Sequence, residues 1–246
     1  MPKTLAAALC CALLLVAGTP ARGQEPVPEG PLQPLLLYAG IQGVYARPVG
    51  EFRDYVANGG GLNFHVAFPV GDESPLAIRA DGGFLIYGSE TRRVCFGGDV
   101  GCLIRLDLTT TNSIGYFNIG PQLMTHRGGI RPYANVAVGA AYFWTQSSLE
   151  GTSGQDRPFA STTNFSDFTL QWAGGGGIMV PLSRGRTPVL LDMAVRYNGN
   201  GQVEYLKRGD IQDQPGDSFT ITPTRSDANL VTFQLGITVG ARRGTR

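Results

Sequence analysis

Residues 130–146 read Ile-Arg-Pro-Tyr-Ala-Asn-Val-Ala-Val-Gly-Ala-Ala-Tyr-Phe-Trp-Thr-Gln, and their alternation decides the fold. Ile130, Ala134, Val136, Val138, Ala140, Tyr142 and Trp144 share one parity, while Arg131, Tyr133, Asn135, Ala137, Gly139 and Ala141 share the other. Successive residues of a β-strand point to opposite faces, so a period of two is the mark of a strand with one apolar side. The pattern recurs upstream, where Leu62, Phe64, Val66, Phe68 and Val70 oppose Gly61, Asn63, His65 and Ala67. It recurs near the end of the chain, where Val231, Phe233, Leu235, Ile237 and Val239 oppose Leu230, Thr232, Gln234, Gly236 and Thr238.

Eight such segments follow one another from Leu35: 35–45, 59–70, 75–88, 109–125, 130–146, 165–181, 187–198 and 228–240. Clusters of Gly, Pro, Asp, Asn and Ser separate them. The links Gly71–Ser74, His126–Gly129 and Leu182–Arg186 are short; those at 46–58, 89–108, 147–164 and 199–227 are long. Long and short alternate strictly. Hairpin-linked strands run antiparallel, so all short turns lie at one end and all long loops at the other. A soluble sandwich has no reason to sort its loops in this way, whereas outer-membrane barrels pair short periplasmic turns with long extracellular loops. The fold expected is all-β: a closed, antiparallel, up-and-down transmembrane β-barrel of eight strands.

The second face of the strands carries the same message. Arg79 and Asp81 oppose Ile78, Ala80, Phe84 and Ile86, and Asp192 and Arg196 oppose Val189, Leu191, Met193 and Val195. Asn63, His65, Tyr116, Asn118, Gln122, Arg131, Asn135, Gln171 and Gln234 hold matching positions, with Gly61, Gly83, Gly120, Gly139, Gly175 and Gly177 among them. Small residues beside large polar ones suit a narrow interior, while a face in water would carry Lys and Glu. We therefore expect a lumen polar network of Arg79, Asp81, Arg131, Asp192, Arg196 and His65, its charges paired because isolated buried ones are too costly. Tyr45, Tyr142, Trp144, Phe168, Trp172 and Tyr197 fall near the long-loop ends of their strands. Amphipathic rings settle there at a membrane interface. Within the last long link, 203–207 and 218–222 alternate briefly and read as extensions of the neighbouring strands.

Composition sets the bounds. Of the 246 residues 16% are charged, below the usual quarter or so, and 35 are glycine. Past the N-terminus, no apolar run approaches the roughly 20 residues of a membrane-spanning helix. Residues 1–23 read as a signal peptide: Lys3, then apolar Leu5 to Ala17, then small residues around Ala21-Arg22-Gly23. Residues 24–34 read as a flexible Pro-rich leader, 35–240 as the barrel and 241–246 as a C-terminal tail. Cleavage would remove Lys3, Arg22 and no acid, turning the net charge from +1 to −1, so no electrostatic case for nucleic acid remains. Cys95 and Cys102 flank Phe-Gly-Gly-Asp-Val-Gly. In an oxidising compartment a local disulfide is the expected outcome, over free thiols or half of a metal site.

Over residues 35–240 the chain resembles the outer-membrane β-barrel superfamily of small eight-stranded OmpA-like and OmpX-like proteins of Gram-negative bacteria. Gly59-Gly-Gly-Leu-Asn-Phe, Pro132-Tyr-Ala-Asn-Val-Ala-Val-Gly and Gly174-Gly-Gly-Gly-Ile look like strands of that family. The resemblance implies the cell outer membrane, a lipid bilayer as partner, and barrel-assembly machinery during biogenesis. It also exposes a departure. Such barrels often end on an aromatic residue, and here Val239-Gly240 is followed by Ala-Arg-Arg-Gly-Thr-Arg.

No catalytic role is expected. A serine or cysteine nucleophile needs a base, usually histidine. The histidines here are His65, on the presumed lumen face, and His126, in a short turn. No HExxH, Walker or dinucleotide motif is present, so neither a metal nor a cofactor is expected. The role expected is structural or one of loop-mediated interaction, its extracellular ligand unidentified. The alternatives are a narrow channel or small-amphiphile binder, an enzyme acting on lipid, and a secreted soluble lipocalin-like barrel.

Overall fold

The computed structural model describes residues 35–71, 74–96, 104–125, 129–151, 160–183, 187–206, 210–214 and 218–242. Strands β1 (Leu35–Pro48), β2 (Gly59–Pro69), β3 (Leu76–Phe96), β4 (Ile104–Met124), β5 (Arg131–Gly151), β6 (Ala160–Pro181), β7 (Val189–Asn200) and β12 (Leu230–Arg242) form one closed barrel. Every neighbouring pair is antiparallel, and β12 closes the ring on β1 from Leu37↔Ala241 to Pro48↔Leu230. Closure leaves no strand edge along the wall, where unpaired N–H and C=O groups would be costly in a medium without water.

The three short links tie off at one end through Val70 N–H to Leu76 C=O (2.8 Å), Thr125 N–H to Pro132 C=O (3.2 Å) and Leu182 N–H to Val189 C=O (2.8 Å). The start of β1 and the end of β12 lie at this same end. At the other end, the β1–β2 link (L1) contains a single turn of helix, α1 (Phe52–Tyr55). The β7–β12 link (L4) contains β8 (Gln202–Tyr205) paired with β11 (Thr224–Asp227), and β9 (Ile211–Gln214) paired with β10 (Ser218–Ile221).

Besides β1 and β7, which run on to Pro48 and Asn200, three regions differ from the sequence expectation. The links at 89–108 and 147–164 are mostly strand. Pairing of β3 with β4 runs on to Phe96↔Ile104, and that of β5 with β6 to Leu149↔Ala160. These four strands therefore rise past their neighbours, since β2 leaves β3 at Gly60↔Ile86 and β7 leaves β6 at Gln171↔Asn200. Hydroxyls bridge the raised part, Thr91 to Thr109 at 3.0 Å and Thr110 to Ser147 at 2.9 Å. Its hydroxyl-rich stretches, Thr109 to Thr111 and Ser147 to Ser148, lack an apolar face, and the alternation of Ile104, Leu106 and Leu108 with Arg105 and Asp107 is too short to mark a strand by itself. Second, 203–207 and 218–222 do not lengthen the barrel strands: Gly201 interrupts the chain after β7, and β8 and β10 belong to separate two-stranded sheets. Third, β12 continues through Ala241 and Arg242 instead of stopping at 240.

Candidate functional site

The barrel is apolar outside and polar within. Val136, Val138 and Leu170 are 60%, 66% and 76% exposed, while Asn63, Asn118, Gln122 and Asp192 are 0% exposed. Phe64, Phe68, Ile78, Phe84, Phe117, Ile119, Val195, Phe233 and Leu235 extend the exposed apolar surface around the wall. Water would penalise that exterior by about 25 cal/mol per Å² of apolar area. Hydrocarbon would not.

Inside, the side chains are layered. Beside the short turns lies an apolar floor of Leu35, Tyr38, Ala67, Ala77, Met124, Tyr133, Met179, Leu190 and Ala194. At the loop end lies an apolar cap that includes Val44, Leu85, Tyr87, Ile114, Phe143, Leu230 and, from the loops, Phe52, Val203 and Tyr205. Between them sits a polar layer. Asp81 accepts hydrogen bonds from Arg79 through Nε at 2.9 Å and Nη2 at 2.8 Å, and faces Arg196 Nη1 at 2.9 Å. Arg79 Nη1 also donates to Gln122 (3.1 Å), and its guanidinium lies 5.5 Å from the Tyr133 ring centre. Tyr116 donates to Asn63 (2.9 Å), which donates to Gln42 (2.9 Å); Asn118 donates to Gln171 (2.7 Å).

The second carboxylate heads its own cluster. Asp192 accepts from the Tyr133 hydroxyl (2.7 Å) and from Thr238 Oγ1 (3.1 Å), with His65 Nε2 at 3.6 Å. Thr238 Oγ1 is also 3.2 Å from His65 Nε2. A hydroxyl, an imidazole and a carboxylate thus stand together, yet not as a catalytic relay. A relay places nucleophile and acid on opposite ring nitrogens. Here both approach Nε2, and Nδ1 is buried without a partner.

Arg79, Asp81, Asp192, Arg196 and His65 therefore gather in one layer, and Arg131 does not. It lies half-buried at the floor, where Nη1 donates to the Tyr38 hydroxyl at 2.9 Å. The register explains the separation, because buried Met179 pairs with Arg131 on one side and Asp192 on the other and stands between them. Of the outer aromatics, Tyr45, Tyr142, Phe168 and Trp172 are exposed and Trp144 and Tyr197 half-buried. They cluster, with ring centres 5.7 Å apart for Tyr142 and Trp144, 5.2 Å for Trp172 and Tyr197, and 6.3 Å for Tyr45 and Phe233. Residues 1–34, Cys102 and His126 lie outside the described residues, as does the side chain of Cys95; the signal peptide, the leader and the disulfide remain expectations. Among the described residues no group of three His, Cys, Asp or Glu side chains is placed to hold a metal ion.

Sequence reasoning missed the loop contribution to the cap. Val203 and Tyr205 are each 1% exposed, and the Tyr205 hydroxyl is 2.8 Å from Ser226 Oγ. Burial within the cap raises the Tyr205 phenol above its ordinary pKa. Gln42 was also missed, since the inward face of β1 mixes Gly40, Gln42, Val44 and Ala46 and gives no clear polar pattern.

A closed antiparallel ladder, an apolar exterior and a packed polar interior define a membrane-spanning β-barrel of the outer-membrane type. No family model and no curated protein matches the chain. Among solved structures it is similar to Ail, the attachment invasion locus protein of Yersinia pestis, in complex with the heparin analogue sucrose octasulfate. That similarity is 12% identity and a TM-score of 0.38, covering 83% of this chain and 96% of that one. It is similar to outer membrane protein AlkL in lipid bilayers at 16% identity and a TM-score of 0.38, covering 92% of this chain and 99% of that one. A major outer membrane protein from Thermus thermophilus gives 10% identity and a TM-score of 0.39, covering 83% of this chain and 98% of that one.

Proposed function

We propose that this chain is an integral outer-membrane protein whose role is structural or one of interaction through its loop end, with neither catalysis nor conduction through the barrel. One observation carries the reading: the lumen is filled and closed by apolar side chains at both ends, with Asp81 paired to Arg79 and Arg196 and Asp192 hydrogen-bonded to Tyr133 and Thr238 between them. An eight-stranded interior is just wide enough for side chains to fill. The aromatics from Tyr45 to Tyr197 act as an interface belt, and Arg79, Asp81, Arg196, His65 and Asp192 act as a strut that holds the wall. The raised strands of β3 to β6 and the paired strands of L4 supply the surface that meets partners, since loops on a rigid scaffold commonly carry recognition.

The test reconstitutes the refolded protein into planar bilayers and vesicles. The expected result is heat-modifiable gel mobility, insertion into vesicles and no stable conductance. Nanosiemens-scale steps would overturn the sealed lumen. Failure to insert, with a soluble monomer remaining, would overturn the membrane assignment.

A further inference from the structure

The cap over the lumen is not all barrel wall. Phe52 descends into it from L1 and is 0% exposed, while Arg53, Asp54 and Tyr55 of the same helical turn are exposed. Its ring centre lies 5.0 Å from Tyr205, 5.7 Å from Tyr87 and 6.3 Å from Phe143. A helix of four residues has too few internal bonds to hold itself, and α1 has no side-chain cap. L1 leaves β1 through Gly50, at φ +64° a conformation suited to glycine, and Phe52 and Val56, both buried in the cap, hold the loop down. One ring carried on a loop and seated in an apolar cup has the attributes of a ligand carried by the chain itself.

The cup also contains a group that Phe52 cannot satisfy. The Tyr87 hydroxyl is buried without a hydrogen-bond partner, although its ring packs against both Phe52 and Phe143. Buried hydroxyls are nearly always paired, because an unpaired one forfeits its bonds to water. A phenyl ring offers nothing in exchange. A molecule of the same size with one polar atom would.

We propose that the mouth of the barrel is a binding chamber for a small amphiphile, an apolar body about the size of one aromatic ring bearing one hydrogen-bonding group, and that Phe52 is its exchangeable plug. L1 swings out at Gly50, the apolar body takes the place of Phe52 between Tyr87, Phe143 and Tyr205, and the polar group bonds the Tyr87 hydroxyl. Below the cup the Tyr116–Asn63–Gln42 chain presents polar groups, so an apolar body stops there. The chamber binds and does not conduct. This inference rests on the sealed lumen proposed above, and the two fail separately, since conductance tests the lumen and probe binding tests the cup.

The experiment uses the full chain refolded in micelles, with ¹⁹F spectra of 4-fluorophenol and fluorobenzene as probes. If the plug is open about 1–10% of the time, wild-type protein binds 4-fluorophenol about 10- to 100-fold more weakly than Phe52→Ala. In the Phe52→Ala background, Tyr87→Phe should abolish the preference for 4-fluorophenol over fluorobenzene. In otherwise wild-type protein, a nitroxide placed by Arg53→Cys should gain mobility as 4-fluorophenol saturates. The proposal is overturned if folded Phe52→Ala binds neither probe, if both bind equally whether or not the Tyr87 hydroxyl is present, or if the nitroxide stays immobile at saturating probe. Should Phe52→Ala fail to fold, the nitroxide result decides alone.

Discussion

Replacing Asp81 with alanine should cost this barrel more than any other single truncation in its polar layer. Asp81 accepts from Arg79 at 2.8 and 2.9 Å and meets Arg196 at 2.9 Å, and the three side chains are at most 2% exposed. Asp192, the other buried carboxylate of this layer among the described residues, is bonded to Tyr133 and Thr238, and those bonds hold it away from the Asp81 position. Breaking a buried pair from one side costs about 3–5 kcal/mol, and stranding two cations at once places Asp81→Ala at the upper end, about 5 kcal/mol. Asp81→Asn keeps the shape and should cost about 3 kcal/mol, because the charge is lost but one acceptor remains. Removing all three charges together, as Arg79→Met, Asp81→Leu and Arg196→Met, should fall between neutral and a gain of about 4 kcal/mol, since no ion is then left buried. Urea unfolding of the refolded protein in vesicles, followed by tryptophan fluorescence, measures all three. A cost below about 1 kcal/mol for Asp81→Ala would refute the reasoning, because it would mean that water or another acid already compensates both arginines.

Three further outcomes follow from the wall. Val138→Arg, at a site 66% exposed midway along β5, should destabilise the barrel in a bilayer by about 2–4 kcal/mol and by much less in micelles. Gly139→Val should block folding, because a Cβ there would run into the Phe117 carbonyl on β4, and the absence of a heat-modifiable band would show it. With Trp144→Phe leaving Trp172 as the sole tryptophan, shallow-brominated lipids should quench its fluorescence more than deep ones, as an interface ring requires.

The barrel strands were legible because lipid on one side and a crowded lumen on the other force a period of two. The alternation of Phe64, Val66 and Phe68 against Asn63, His65 and Ala67 needs no tertiary information to be read. Parity reveals which side a residue faces and not which strands stand between two residues, which is why Arg131 read as a partner of the lumen acids although Met179 separates it from Asp192. The same limit hid the cap: Leu85 and Tyr87 share the parity of Arg79 and Asp81, so their position over the polar layer emerged only with the register. Phe52 was silent for another reason, since four residues of helix leave no periodicity. The raised strands were passed over although Ile104, Leu106 and Leu108 alternate with Arg105 and Asp107, because the long-link reading of 89–108 took precedence over so short a pattern, while Ser147 and Ser148 across from Thr110 and Thr109 offer no apolar face.

Intermolecular NOEs between lipid acyl chains and the protein in nanodiscs test the polarity of the wall most directly. The account predicts strong cross-peaks to Val136, Val138 and Leu235 and none to the side-chain amides of Asn63, Asn135 and Gln234. Acyl-chain contacts to those amides, with the valine and leucine methyls silent, would contradict it.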